Sequence, residues 1–527
     1  MDIDDLRDKL EHSGIPNNGN YYALKQINAH PDKVALKYPT IENNKVIYRE
    51  LTFSQFRTES LRWANGLALE GFKVGDRIIL LFPVSVELYQ VIFACFHLGI
   101  TPVFVDLSMG TRKLIQAIKD SKAKGIFSID KLLKFKYFIP AMWGKKCFSL
   151  DRKRFLIKNL SDLYTDSCYS KNQLELDNKT TALITFSSGS TGKPKGANRT
   201  IEVLLNQKIV SEYMWPHNKN EIDMPAFPMI VLQNLGCGVS SVLPAIDFQN
   251  FLEMKPEIVY SQLLNQKVSR FSAQPFFIER LCDYMLESKL DSPASIRSIV
   301  IGGAVVSKRL CKKIQSAFSK VEVNIVYGST EAEPIAHASI EEFLSSDSRG
   351  LLLGKVVESL RVKILRINKE PIDISDDCST GKIGEIILCG PHVITEYIDH
   401  HPANDELKLK DDNGDIWHRT GDIGYFCESG NLWLVGRIKD QITSKSGPIP
   451  CYDLEEDLSW KLNIDKSAFV DSLNTLFIQG HYNEAEVLSF LKDHGIKHFK
   501  IHPVDNIPVD KRHFSRVDRS ELIKLFS

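Results

Sequence analysis

Apolar positions along the chain switch repeatedly between a helical and an extended spacing. Residues 51–69 are apolar at intervals near 3.6, which predicts an amphipathic helix. Residues 77–82, Arg-Ile-Ile-Leu-Leu-Phe, form a short continuous apolar run, the pattern of a strand covered on both faces. A helix near 87–97 and a strand at 102–105 follow, then a strand at 182–186. Thr200 is placed to cap a helix whose apolar positions are Ile201, Leu204, Leu205, Ile209 and Tyr213. Residues 227–243 are apolar with Gly236 and Gly238 inside, either a core element or a pocket wall. A strand at 298–301 leads into Gly302-Gly-Ala304 and a helix opened by Ser307. The next strand, 321–326, delivers Tyr327-Gly-Ser-Thr-Glu331 at its carboxyl end. Such alternation predicts parallel sheets wrapped by helices, with ligands gathered at the carboxyl ends of the strands.

The pattern then changes. Residues 384–388 and the pair 423–426/432–435, joined through Glu428-Ser-Gly-Asn431, predict antiparallel strands and a hairpin. Beyond Arg437 comes a compact α+β pattern: helices near 453–461, 484–492 and 520–526, with strands at 468–470, 475–478 and 498–501. The expected fold class is α/β: a large N-terminal domain of two parallel-type sheet subdomains plus a small barrel-like portion, and a small mobile α+β domain. Boundaries fall at 1–436 for the large domain, 437–440 for a hinge and 441–527 for a lid.

A chain of 527 residues holds more than one core, and 43% hydrophobic with 25% charged residues is ordinary for a globular protein. Zero formal net charge leaves no electrostatic footprint for nucleic acid. Ten cysteines without a CxxC pair suggest neither a disulfide framework nor a zinc ribbon and fit a reducing, cytoplasmic setting. The acidic N-terminus is unlike a signal peptide, and the most apolar stretch, 91–105, is too short and interrupted to span a bilayer.

Chemistry concentrates in Thr185-Phe-Ser-Ser-Gly-Ser-Thr-Gly-Lys-Pro-Lys-Gly196. Glycines let backbone N–H groups approach a polyphosphate, hydroxyls donate to it, and lysine neutralises its charge. The GxxxxGK[ST] spacing of the P-loop does not fit. No GxSxG elbow supports a hydrolase, and His400-His401 has no partners at zinc-ligand spacing. His337, His418 and His513 stand isolated and are expected to be structural.

The glycine-rich loop, Tyr327-Gly-Ser-Thr-Glu331, His418-Arg-Thr-Gly-Asp422 and Gly436-Arg-Ile-Lys-Asp440, in this order, resemble the adenylate-forming (AMP-binding) superfamily of acyl-CoA synthetases and luciferases. The resemblance covers nearly the whole chain. It implies ATP- and Mg²⁺-dependent activation of a carboxylic acid, with Thr191, Lys195, Thr330, Glu331 and Arg516 as catalytic positions. It implies nucleotide binding by Ser187, Ser190, Gly192, Gly302, Gly303, Ala304, Tyr327, Gly328, Asp422 and Arg437, with Glu331 as the metal ligand and Lys439 as the hinge. Segments Phe227-Pro-Met229, Pro244-Ala-Ile-Asp247, Gly447-Pro-Ile449 and Asp510-Lys-Arg-His513 resemble the olefin β-lactone synthetases, a branch close to fatty-acyl-CoA synthetases. That implies a long-chain fatty acid or a 2-alkyl-3-hydroxy acid as substrate, ending as a β-lactone, with coenzyme A or an acyl carrier protein as the alternative acceptors. Ile230 and Val231 stand at the gate position, and Gly236 and Gly238 are expected to leave room for an alkyl tunnel.

The chain departs from the superfamily in one place. The C-terminal catalytic lysine is replaced by Arg516, in His513-Phe-Ser-Arg-Val517. Arginine keeps the charge but not the compact shape of an ammonium, so slow adenylation is expected unless another group such as Lys511 substitutes. A nucleotide- or acyl-binding protein with little turnover is the rival from another class.

Overall fold

A computed structural model describes residues 15–42, 45–187, 193–218, 220–248, 251–346, 348–367, 372–443, 448–496, 498–510 and 516–527. The first sheet has seven strands in the order Ile157–Asn159, Lys146–Ser149, Gly125–Ser128, Arg77–Leu81, Thr101–Val105, Thr181–Ser187, Lys195–Thr200. All pair in parallel except the last, which returns antiparallel to Thr181–Ser187. The helices predicted between them are present. Phe53–Leu69 is opened by a capping box in which Thr52 and Gln55 satisfy each other's backbone N–H groups. Val86–His97 is buried on nearly every side, because it lies between this sheet and the next.

The second sheet is larger than expected, because the barrel-like portion is continuous with it. Its parallel part runs Val34–Glu42, Ser240–Val242, Ile222–Pro225, Arg270–Ala273, Ser298–Gly302, Glu322–Ser329. Ala332–Ser339 then folds back antiparallel on Glu322–Ser329, so Tyr327-Gly-Ser-Thr-Glu331 is the tip of a hairpin rather than a free loop. Leu351–Val356 bonds to that hairpin on one edge and to Leu432–Arg437 on the other, and the antiparallel strands Ile416–Phe426, Gly384–Cys389 and Arg361–Leu365 complete the curl.

The last part of the chain forms a three-stranded sheet, Lys466–Val470, Thr475–Gln479 and Lys500–Val504, with helices Tyr452–Lys461, Glu484–Asp493 and Arg519–Phe526. It owns small cores around Leu458, Phe469 and Ile478 and around Phe477 and Leu522. Ion pairs Arg349–Asp453 and Arg309–Asp465 connect it to the larger body. All ten cysteines are free thiols, and no described helix is long and apolar enough to cross a membrane.

Gly236 and Gly238 do not open a tunnel. A Cβ at Gly236 would lie 3.0 Å from the Cβ of Tyr22, and one at Gly238 would lie 2.5 Å from Gln26 Oε1. These glycines let helix Pro228–Cys237 pack on helix Tyr21–Ala29, with Gly238 as its left-handed C-cap at φ +72°. Val231 likewise turns into the core, 1% exposed.

The junction of the two halves of the large sheet depends on Gly354, whose φ is +86° and where a Cβ would stand 2.0 Å from the His337 carbonyl oxygen. Gly354→Ala is expected to lower unfolding free energy by about 2–3 kcal/mol, because backbone strain adds to a forced separation of paired strands. An unchanged denaturation midpoint would contradict this account of the junction.

Candidate active site

A cavity of about 770 Å³ opens where the carboxyl ends of the parallel strands meet the barrel-like strands and the C-terminal unit. Ser187, Lys195, Gly302, Gly303, Ala304, Tyr327, Gly328, Thr330, Glu331, Asp422, Arg437, Lys439 and Arg516 all line it. Residues drawn from 187 to 516 in sequence thus converge on one space. Ser190, Thr191 and Gly192 lie outside the described residues.

Each wall has a local cause. Gly302 and Gly303 end their strand where a side chain has no room: a Cβ on Gly302 would lie 2.7 Å from the Val326 carbonyl oxygen, and Gly303 has φ +80°. Their backbone can therefore face a flat ligand at close range. Opposite, the Tyr327 hydroxyl donates to Asp422 Oδ2 at 2.7 Å, and Arg437 Nε pairs with Asp422 Oδ1 at 2.7 Å. Asp422 and Arg437 are register partners on adjacent strands, which is why the two motifs meet. The Asp422 carboxylate holds the Arg437 guanidinium well above its ordinary value despite burial. Arg516 Nη2 lies 3.6 Å from Asp440 Oδ2, while burial and then the Arg516 charge push the Lys439 ammonium down.

The centre of the site is a buried cluster around Glu331. Its Oε1 accepts from the Tyr397 hydroxyl at 2.8 Å, and its own carbonyl accepts from Ile394 N at 2.9 Å. The Tyr397 ring is flanked by Lys408 Nζ at 5.2 Å and Lys195 Nζ at 5.6 Å from its centroid, two cation–π contacts on one ring. Burial alone would raise the Glu331 carboxyl, but neighbouring positive charge and the Tyr397 hydroxyl hold it at about 2. Burial pulls Lys408 down to about 7, and burial with the Lys408 charge pulls His418 down to about 3, so its imidazole is neutral. Lys195 is lowered by burial as well.

Four of these groups were not singled out for the site from sequence. His418 is not an isolated structural histidine but part of the Glu331 cluster and of the cavity wall. Tyr397 and Lys408 carry no motif. Arg199 donates through Nη1 to Thr185 Oγ1 and through Nη2 to the Thr330 carbonyl at 2.9 Å, tying the glycine-rich strand pair to the Tyr327–Glu331 hairpin. Its signal was readable: Lys195, Ala197 and Arg199 share one face of a strand, and 197 alone of the three is apolar.

A model of the AMP-binding enzyme family matches residues 24–398, and the chain belongs to that family of carboxylate-adenylating ligases. It is 25% identical to an olefin β-lactone synthetase from Stenotrophomonas maltophilia, over 93% of this chain and 95% of that one. A 2-succinylbenzoate–CoA ligase from Oceanobacillus iheyensis is 24% identical, with 86% of each chain covered. The fold matches that of the o-succinylbenzoate coenzyme A synthetase from Bacillus subtilis in complex with ATP and magnesium ion, with TM-score 0.75 at 20% identity over 96% of this chain and 99% of that one.

The buried cluster predicts a sign for the pH dependence of stability. His418 titrates near 3 folded against an ordinary 6.5, so the unfolded chain takes up that proton first and stability falls as pH drops below 6.5. Glu331, at about 2 against 4.5, contributes stability that is present above 4.5 and lost as pH falls towards 2. Lys408, at about 7 against 10.5, adds stability as pH rises between those values. The melting temperature is expected to fall between about pH 7 and about pH 5, and His418→Gln to flatten that slope. An equal slope in the variant would contradict a buried neutral imidazole.

Proposed function

We propose that the protein uses ATP and Mg²⁺ to convert a long-chain carboxylic acid to its acyl-adenylate, releasing pyrophosphate. The convergence of the phosphate-loop strands, the Tyr327–Glu331 hairpin and the Asp422–Arg437 pair on one cavity carries this reading. The complex of the Bacillus subtilis synthetase with ATP and magnesium supports it.

In this scheme Lys195, with Ser187, Ser190, Thr191 and Gly192, holds the β- and γ-phosphates, and the Thr330 hydroxyl donates to the α-phosphate. Adenine lies between Tyr327 and the backbone of Gly302, Gly303 and Ala304, with Gly328 beside it. Asp422 accepts from the ribose hydroxyls, exchanging the Tyr327 bond it holds now, while Arg437 stays paired to its other oxygen. Glu331 fits a hard divalent cation: it is a carboxylate kept charged although buried, and its described side-chain bond uses only Oε1. The bound cation would neutralise phosphate charge. A carboxylate oxygen of the acid attacks the α-phosphorus, and the bond from that phosphorus to pyrophosphate breaks; no proton is transferred. What the chain supplies is alignment of attacking oxygen, phosphorus and leaving group, and positive charge for the leaving pyrophosphate. The C-terminal unit, residues 441–527, turns about Lys439 within 437–440 between steps, and Arg516 at the cavity wall closes the site against water during the first.

For the second step, the near full-length likeness to an olefin β-lactone synthetase favours attack of a 3-hydroxyl of the same acid on its activated carbonyl, with the hydroxyl proton lost to water and the acyl–oxygen bond to AMP broken. Transfer to coenzyme A is the alternative, supported by the 2-succinylbenzoate–CoA ligases, and loading of an acyl carrier protein is the other. Arg516 favours a second reading, a nucleotide- and acyl-binding homologue with little turnover, since losing one preorganised donor costs about 3–4 kcal/mol.

Pyrophosphate release with Mg·ATP and a panel of fatty and 3-hydroxy acids, with and without coenzyme A, separates these. Release is expected, and Arg516→Lys is expected to raise its rate by about 10²-fold. ATP binding without release from any acid would favour the binding homologue. A rate unchanged or lowered in Arg516→Lys would show that arginine serves the reaction as it stands.

A further inference from the structure

The same cavity continues away from the nucleotide end along the sheet, and its far end is not apolar. Arg270 and Ser272 alternate along the strand Arg270–Ala273 and share the cavity face, and Gln274, which follows it, lines the cavity too. Arg270 is in register with Ser298, four residues before Gly302, which sets the floor about 13 Å below the nucleotide level. Between them the walls are greasy, with Phe227, Met229, Ile230 and Leu232 contributed by helix Pro228–Cys237 and its N-cap. At the floor stands a buried polar network. Arg270 pairs with Asp223 at 3.0 Å and Glu221 at 3.6 Å and donates to Asn234 Oδ1 at 2.8 Å, and Asn234 donates to Asp223 Oδ2 at 2.8 Å. Glu212, His217 and Cys237 complete it, with ligand atoms within 4.8 Å of one another. One oxygen of Glu212 is held by Lys208, and the other lies 3.7 Å from His217 Nδ1.

A methyl terminus arriving there would cover charged and hydrogen-bonding groups and give nothing back. Two buried atoms at the floor have no partner among the described residues: Asp223 Oδ1, on a residue with 0% exposure, and Ser272 Oγ, on one with 2%. One is an acceptor, the other both donor and acceptor. The acidic side chains of this network, Glu212, Glu221 and Asp223, outnumber the basic ones, Lys208 and Arg270, by one. An anionic end group is thereby disfavoured and a hydrogen-bond donor favoured.

Resting on the adenylation reading above, we propose that the substrate acid carries a hydrogen-bond donor, a hydroxyl or an amine, at the end of its chain remote from the reacting carboxylate. The floor around Ser272, Asp223, Glu212 and His217 receives this group, and the greasy walls receive the chain between.

The test compares acids about ten carbons long, matched to the ~13 Å depth, ending in methyl, hydroxyl, amine or carboxylate. Each is ranked by kcat/KM for pyrophosphate release and, separately, by calorimetric affinity for the protein. Hydroxyl- or amine-ended acids are expected to exceed the methyl-ended acid by about tenfold in both, one buried hydrogen bond's worth. Ser272→Ala, which removes only an unpaired hydroxyl, and His217→Leu are each expected to shrink that advantage while sparing the methyl-ended acid. A methyl- or carboxylate-ended acid ranked first, or an advantage untouched by both variants, would overturn the proposal. Should no acid release pyrophosphate, adenylation itself fails, and the calorimetric ranking still decides the chemistry of the floor.

Discussion

Keeping one carboxylate ionised in a buried place organises much of this molecule. Glu331 sits at the tip of a hairpin, half-buried at the cavity wall, where an unpaired charge would be costly. Its position is tolerated because Tyr397, Lys408, Lys195 and His418 are assembled around it from three separate stretches of chain. Assembling them requires the first sheet, which contributes Lys195, to meet the large sheet, which contributes Glu331 and His418. Arg199 fastens that meeting by spanning Thr185 and the Thr330 carbonyl. The crevice between the sheets, its charge balance and the geometry of its hairpin are therefore one problem with one solution.

Elements whose signal is local could be read from sequence. The strand–helix alternation of the first half, the Thr200 cap and the hairpin of 423–426 with 432–435 rest on spacing and capping residues, and the structure has them. Motif residues were legible for the same reason: glycines, hydroxyls and charges clustered within a few positions have few other uses. Partners supplied by tertiary contact left no such trace. Tyr397 and Lys408 look like an ordinary aromatic and an ordinary surface lysine until folding brings them against Glu331. Gly236 and Gly238 were misjudged because a glycine's purpose depends on what approaches it; here a helix approaches, not an alkyl chain. The continuity of the barrel-like strands with the large sheet depends on the two-residue register of 351–356 against 332–339, which no spacing announces.

The acyl end of the cavity and the Arg516 position are where this chain differs most from the expectation its motifs raise. Apolar walls from Phe227 to Leu232 lead to the polar group of Arg270, Asp223 and His217. Arg516 stands beside Asp440 at the wall of the same cavity.

The central claim is that the acid's own oxygen attacks the α-phosphorus. It is tested most directly by supplying an acid labelled with heavy oxygen in its carboxylate, together with Mg·ATP, and weighing the nucleotide product. The account predicts AMP carrying one labelled oxygen from the carboxylate once the acyl group has moved on. Unlabelled AMP, or ADP with label in inorganic phosphate, would contradict it.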